Sequence, residues 1–551
     1  TVIVKNEKSQ GVVTDYDGNL TLQTKVQAPL TLRVEYVGYR PLDVDVYDFE
    51  EPVQIALADN SNSLNEVVVV GYGVQKRKSL TGSVTTVKNE KLLQTSTSLD
   101  NALGGAVAGL SAASSSGEPG AALNIRIRGG NSINGGNEPL YVIDGVLIYN
   151  DAAATSTGNS FAGKDFNPLA SINPADIESI EVLKDVSASA IYGSRGANGV
   201  IIVTTKNGKK DKLKIDYGYS IGIASVRKRL DLLNAQEWGD LYLDLATDAQ
   251  KAAAGVTPEV VKSWGEGTDW QDALFRDATT QQHQLSVSGG SDKERFLISG
   301  NYIDQNGIIL GSGFTRIGAR LNYDRDIFKN VTVGLKANLS KTTRSGQNGF
   351  RGLSNGFSGL LEQALRTSPA VPIHNEDGTW NYANPFESGD FVRNGNTPNA
   401  IADLSEVQTE TIVDNVLLSG FAQWQIIPSL RFRTQGSVNV INTRQNLFGG
   451  GNSQIGFNSE GYGSVGTKRW ESDQFEATLT WNKKFGIHEF EVLGGYTYQQ
   501  EKRERLHGST AYFANENLGY HSLQAGSQFV NTDTQFITSS LYSGIGRVNY
   551  S

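Results

Sequence analysis

The 551 residues include no cysteine and no methionine. Without cysteine there is no disulfide, no thiolate metal site and no thiol nucleophile. The five histidines, at 283, 374, 488, 507 and 521, show no pairing at metal-ligand spacing. No carboxylate sits in a context that suggests a raised pKa, so the chain is not expected to be an enzyme or to hold a metal or cofactor. Long hydrophobic runs are also missing. The densest are Val67–Val70 and Val200–Val203, far short of the roughly 18 apolar residues of a membrane helix, so a membrane crossing has to be made by strands. Lysine and arginine are scattered and the formal charge is −9, which argues against nucleic acid, whose footprint is a concentrated basic patch. No signal peptide stands at Thr1. A methionine-free chain that starts in mid-pattern reads as a portion of a longer protein.

What is present changes character along the chain. Residues 1–59 alternate β-rich runs (LTLQTKV, LTLRVEYVGY, PVQIAL) with turn signals and predict a small β-sandwich. Asp15, Asp17 and Asn19 invite a calcium loop, but its sixth position holds Leu20, whereas Gly18 suits a hairpin. A polar linker, Asn60–Asn65, leads into the β-branched run Glu66, Val67, Val68, Val69 and Val70. Residues 79–209 mix strands with short helical turns. Glycines 193, 196 and 199 lack a following Lys-Ser or Lys-Thr at P-loop distance and read as tight turns or close backbone approaches. Arg126 and Arg128 lie two apart on a strand and share a face. They need acidic partners, and Glu178, Glu181 and Asp185 are the nearest in sequence; substrate binding is the alternative.

From Leu213 onward, segments of about ten residues alternate apolar with polar, as transmembrane β-strands do. Ile215, Tyr217, Tyr219, Ile221 and Ile223 form one such set, and Ile317, Ala319, Leu321 and Tyr323 alternate with Arg316, Gly318, Arg320 and Asn322. Val331–Leu339, Phe475–Trp481 and Phe490–Tyr498 repeat the pattern. A soluble sandwich alternates too, so alternation alone does not separate inside from outside. The long polar insertions Asn234–Phe275, Ser345–Glu406 and Asn442–Ser472 predict loops on one side. Trp238, Trp380, Tyr382 and Phe386, within these insertions, either stack on sugar rings or pack the loops.

Four motifs point to a family. Leu64–Gly73 (LNEVVVVGYG), Ile125–Gly130 (IRIRGG), Asn137–Val146 (NEPLYVIDGV) and Glu181–Lys206 (EVLKDVSASAIYGSRGANGVIIVTTK) resemble, in this order, the plug region of SusC/RagA-type TonB-dependent outer-membrane transporters. TDYDGN followed by VEYVGY resembles the carboxypeptidase-regulatory-like domain that precedes the plug in that branch, with its first strand missing. The resemblance implies a mainly β chain: a carboxypeptidase-regulatory-like β-sandwich (1–59), a linker with a TonB-box-like segment (60–78), an α/β plug (79–209) and the N-terminal part (213–551) of a large antiparallel transmembrane β-barrel. The full barrel would hold about 22 strands, of which this chain supplies roughly ten.

The same resemblance implies a Gram-negative outer membrane of Bacteroidetes type, with lipid around the barrel. It also implies TonB, with ExbB and ExbD, on the periplasmic side, a SusD-like lipoprotein on the outer face, and an oligosaccharide or peptide as cargo. Glu66–Val70 is then either the TonB box or an ordinary plug strand beside it. Arg126, Arg128, Glu178, Glu181 and Asp185 become a plug-to-barrel ion-pair network. Asn131, Asn134 and Asn137, on a loop bracketed by Gly129, Gly130, Gly135 and Gly136, become the substrate-facing apex, together with Trp238, Trp380 and Tyr382. A passive porin would lack the plug and the TonB-facing segment, and a surface adhesin would need repeats, of which there are none.

Overall fold

The structure, a computed structural model, describes residues 168–210, 212–346, 359–386 and 399–550 continuously, and shorter runs before them, among them 42–49, 67–69, 84–88, 117–121 and 136–148. It divides into two compact units, Thr1–Ser83 and Val84–Ser551.

In the first unit β1 (Val2–Val4), β2 (Gly11–Val12), β3 (Leu30–Val34) and β4 (Leu42–Val46) form an antiparallel sheet in the order β2-β1-β3-β4. Val4, Leu30, Val34 and Val46 are its buried side chains. The runs at 20–24 and 53–57 depart from expectation: their described residues are not strands and bury no side chain. Alternation gives a strand only where one face is covered. Asp15 and Asp17 lie outside the described residues. β5 (Val67–Val69) pairs with β6 (Val74–Lys76) as a separate antiparallel hairpin, Val67 opposite Lys76.

The second unit begins with β7 (Val84–Lys88), the edge of a five-stranded sheet ordered β11-β10-β13-β12-β7. Its other strands are β10 (Leu140–Ile143), β11 (Val146–Ile148), β12 (Ile177–Leu183) and β13 (Val200–Thr205), with β10 and β13 parallel. Val200–Val203 is buried throughout, as a continuous β-branched run is when both faces of a strand are covered. The hairpin of β8 (Leu110–Ser114) and β9 (Leu123–Ile127) adds Ile125 and Ile127 to the same core. Between β12 and β13 come the one-turn helix α1 (Val186–Ser189) and a 3-10 segment, Ala190–Gly196. Gly199 follows at φ 88°, where a side chain would collide with Ile127 and the Leu183 carbonyl. This is a close backbone approach, and no phosphate loop is involved.

The remainder is one ten-stranded antiparallel sheet in strict sequence order. Its strands are β14 (Lys214–Ala224), β15 (Ala278–Gly290), β16 (Glu294–Asn306), β17 (Gly313–Phe328), β18 (Val331–Ser345), β19 (Val407–Ile427), β20 (Leu430–Gly449), β21 (Tyr462–Phe485), β22 (His488–Phe513) and β23 (Gly526–Tyr550). Alternate connections are tight turns (291–293, 329–330, 428–429, 486–487) and longer segments (225–277, 307–312, 346–406, 450–461, 514–525). The longer ones carry α2 (Ala235–Leu245), α3 (Asp248–Ala254), α4 (Pro258–Trp264), α5 (Trp270–Leu274), α6 (Leu360–Arg366) and α7 (Ala400–Glu406). The insertion expected at Asn442–Ser472 shrinks to 450–461, because β20 and β21 run on through its flanks. The ladder continues from Asn442↔Arg469 to Gly449↔Tyr462 through residues polar enough to read as loop.

The two faces of the sheet differ. Arg316, Arg320 and Asn322 of β17 are buried, while Ile317, from the alternate set, is 59% exposed; Ile298, Leu335, Leu339, Phe475 and Leu479 are likewise exposed. If that outer face meets lipid, Ile298→Arg is expected to cost roughly 2–4 kcal/mol near mid-bilayer. Refolding into lipid vesicles along a denaturant series reads this directly, and a cost near zero means that the face is in water.

Candidate functional site

The buried faces of the strands meet the five-stranded sheet unit through polar side chains, and β15 to β22 each contribute at least one. The centre is Asp144, at the tip of the β10–β11 hairpin. Asp144 and Gly145 take φ of 50° and 88°, the left-handed pair that a two-residue Asp-Gly turn requires, so the sequence YVIDGV itself projects the carboxylate. Arg320 Nη2 lies 2.7 Å from Oδ2 and Lys336 Nζ 3.1 Å from Oδ1. Thr205 adds its hydroxyl at 2.6 Å and its backbone N–H at 3.2 Å. Arg320 and Asp144 are 4% and 6% exposed. Burial alone would raise the Asp144 carboxyl, but Lys336 and Arg320 prevail and hold it well below the usual carboxylate range.

Around this centre the contacts repeat along the arc. Asp176 accepts from Ser299 of β16 at 2.9 Å and from Gln284 of β15 at 3.4 Å, and burial pushes its carboxyl up. Arg316 donates to the Ala170 and Ile172 carbonyls at 2.9 and 3.3 Å. Asn322 donates to the Lys206 carbonyl at 2.6 Å, and Asn415 of β19 to the Ser171 hydroxyl at 3.2 Å. Gln435 of β20 donates to the Asp144 carbonyl at 3.2 Å, while Gln445 accepts from the Thr157 hydroxyl at 2.6 Å. Gln474 of β21 accepts from Leu147 N at 3.0 Å and donates to Leu147 O at 2.8 Å, so its amide acts as a strand neighbour to the edge strand β11. Gln499 of β22 accepts from Arg195 at 2.7 Å. Ala170, Ile303, Phe314, Val413, Ile441 and Trp470 form an apolar seam within this polar surface.

Of the expected ionic network, one pair forms among the described residues. Arg128 pairs with Asp185 inside the same unit. Arg126 is exposed, with no ion pair among the described residues, and Glu178 is exposed as well. Glu181 is buried on β12 and accepts from Ser179 at 2.7 Å. Among the described residues, Asp144 with Arg320 and Lys336 joins the two parts of the unit, and these partners are too distant in sequence to be matched by proximity. A signal was present: Arg316 and Arg320 both occupy the polar alternation of an otherwise apolar strand. Glu66, Val70, Asn131 and Asn134 lie outside the described residues, and Asn137 is half-buried.

The aromatic candidates are engaged in the long connections. Trp238 of α2 stacks on Tyr242 at 5.2 Å and meets the edge of Phe386 at 4.7 Å, with Trp264 alongside. Trp380 stacks on His374 at 4.3 Å. Tyr382 donates to Glu406 at 3.1 Å, and burial together with that carboxylate raises its phenol. Asp403 of α7 is fully buried, accepting from Gln454 N at 3.1 Å and Gln363 Nε2 at 3.3 Å. It thereby ties 346–406 to 450–461, and burial pushes its carboxyl up to about 7.

Comparisons with known proteins agree with this architecture. Residues 76–200 match the TonB-dependent Receptor Plug Domain family and residues 1–69 the CarboxypepD_reg-like domain family. TonB-dependent receptor P3 of Formosa agariphila is 32% identical over 553 residues, covering 100% of this chain and 51% of that protein. TonB-dependent receptor SusC of Bacteroides thetaiotaomicron is 32% identical over 581 residues, covering 100% of this chain and 53% of that protein. The chain thus spans about half the length of the curated relatives it matches. Among solved structures, the RagAB peptide importer in its open-open state superposes with a TM-score of 0.71 at 25% identity, over 88% of this chain and 55% of that one. The unliganded ferric citrate transporter FecA shares the fold alone, with a TM-score of 0.53 at 13% identity, over 86% and 54% of the two chains.

Two outcomes are expected. Asp144→Ala, by stranding Arg320, is expected to weaken docking by roughly 3–5 kcal/mol, and Arg320→Met added to it is expected to cost less than the sum of the two. Urea titration of the membrane-embedded protein measures both. Because the folded-state carboxyl of Asp403 is raised, the loop packing is expected to be firmest below the usual aspartate range and to loosen as pH rises towards about 7. Hydrogen exchange over 399–410 and 450–461 checks this, and Asp403→Asn is expected to remove the dependence.

Proposed function

We propose, for a chain that belongs to the SusC-like TonB-dependent receptors, that it takes part in active import of an oligosaccharide or peptide across a Gram-negative outer membrane. The observation that carries this reading is the polar engagement of one folded unit by eight consecutive strands, β15 to β22. A unit held in this way obstructs the lumen of a closed barrel, so passage requires that it be moved. A porin, the second reading, has no use for such an obstruction.

The outer membrane has neither ATP nor an ion gradient of its own, so the work arrives through the periplasm. TonB, driven by ExbB and ExbD, would take hold upstream of residue 84. β5 suits this role because strand addition relies on backbone hydrogen bonds and tolerates varied sequence. Among the described residues β5 pairs only with β6, which leaves its other edge as a template. A pull delivered there reaches β7, the outermost strand of the five-stranded sheet.

On the outer side a SusD-like lipoprotein would close over the long connections. Asn131, Asn134 and Asn137 are proposed to meet the cargo at the plug apex, through side-chain amides and nearby glycine backbone. Trp238, Trp380 and Tyr382 are given the role of shaping the loops, since their rings and hydroxyl are already engaged there. The name of RagAB as a peptide importer makes peptides one cargo class to test, beside oligosaccharides.

Successive backbone N–H groups of a strand point to opposite edges. Val68→Pro with Val69→Pro therefore removes one donor from each edge of β5. Uptake by cells carrying the full-length variant is expected to fall to the level of cells lacking TonB, with unchanged amounts of protein in the outer membrane. Uptake equal to the parent would place the handle elsewhere, and uptake independent of TonB would favour a porin.

A further inference from the structure

The outer face of the sheet carries a furrow that the transport reading does not use. Register places Tyr217, Leu285, Gly300, Ala319, Leu339 and Val416 in one row across six strands, β14 to β19. This row lies on the exposed face, since Tyr217, Leu285 and Leu339 are all largely exposed. The row on the side of the long connections is Tyr219, His283, Tyr302, Ile317, Lys341 and Asp414; the row on the side of the tight turns is Ile215, Val287, Ile298, Leu321, Ala337 and Leu418.

In the middle row two adjacent positions, Gly300 and Ala319, carry almost no side chain, and larger residues surround them on all sides. The result is an open depression of about 650 Å³ with mainly apolar walls that include Leu285, Tyr302, Ile317 and Leu339. A Cβ at Gly300 would meet only the Gly318 carbonyl oxygen, at 4.0 Å, so nothing in the protein fills the floor. Unfilled apolar walls forgo dispersion contacts that a flexible hydrocarbon recovers.

The row on the side of the long connections, with Tyr217 next to it, supplies a matching polar edge. Tyr217 and His283 share a hydrogen bond of 2.9 Å, and the His283 ring lies 4.7 Å from Tyr219 and 6.4 Å from Tyr302. Tyrosine is a residue type enriched where acyl chains end and head groups begin, and the His283 ring adds a polar group beside it. Lys341 is exposed in the same row; Asp414 is its neighbour in register, and no ion pair between the two is found among the described residues.

We propose that this furrow seats one acyl chain of an outer-leaflet lipid, with an anionic head group held at His283, Tyr302 and Lys341. The chain lies over Gly300 and Ala319, and the retained lipid becomes part of the wall between β15 and β18. The proposal rests on the reading that these strands span the outer membrane.

A Cβ at Gly300 has room around it and the φ of Gly300 lies outside the left-handed region, so Gly300→Leu is expected to fold and to fill the floor. The full-length protein and this variant would be extracted from native membranes into polymer nanodiscs, and retained lipid counted by native mass spectrometry after mild washing. The parent is expected to keep one lipid that the variant holds roughly tenfold less often, the factor that losing the burial of two methylene groups gives. Lys341→Ala is expected to lower retention of anionic lipid in particular. Equal retention in a membrane-inserted variant overturns the furrow site, as does a loss of self-association with lipid unchanged, which would assign the furrow to a second copy of the chain. Absence of the parent protein from the outer-membrane fraction overturns instead the reading on which the proposal rests.

Discussion

A negative charge sealed between a folded unit and a strand array is tolerable only if partners compensate its desolvation. Asp144 meets that condition with Thr205 from its own side and Arg320 and Lys336 from the sheet. Removing either side leaves buried charge without compensation, so the plug-like unit and strands β17 and β18 depend on each other for their electrostatics. The remaining polar contacts along β15 to β22 extend the same dependence around the arc.

That arrangement has a mechanical consequence. Each strand is tied to its neighbours by a continuous backbone ladder, whereas the enclosed unit is tied to the strands by side chains acting one at a time. Side-chain amides exchange readily with water, and each contributes about 1 kcal/mol net. A unit secured in this manner is firmly placed at rest yet can be released sequentially from one end. The long connections are packed differently. Trp238, Tyr242, Trp264 and Phe386 form an aromatic cluster, and Asp403 is buried between two connections. These contacts tie the long connections to one another.

Much of the fold was legible in the sequence. Period-two alternation marked β17, β18 and β21, and the YVIDGV and VIIVTT runs marked strands of the enclosed unit. What alternation could not reveal was which face turned inward; contacts such as Arg316 with the Ala170 carbonyl supply that. The polar ends of β20 and β21 read as loop because they lack the apolar alternation that marks the other strands, although the backbone ladder runs on through them. Ionic partners were the least legible part. Proximity in sequence linked Arg128 with Asp185, but Asp144 finds Arg320 and Lys336 across the chain, and an Asp-Gly turn looks like ordinary hairpin chemistry until its environment is known. Aromatic residues in the polar insertions left ligand stacking and loop packing both open; Trp238 and Trp264 pack on Phe386, Trp380 stacks on His374, and Tyr382 is engaged through its hydroxyl.

The central claim is that the enclosed unit is held by contacts that part before the strand ladder does. Force spectroscopy on the full-length protein in a bilayer, pulling from a point between residues 60 and 83, tests it most directly. The account predicts release of residues 84–209 as a distinct event, roughly 400 Å of chain, at forces that leave the sheet folded. Extraction of β14 and its neighbours at the same force, or before that release, would contradict it.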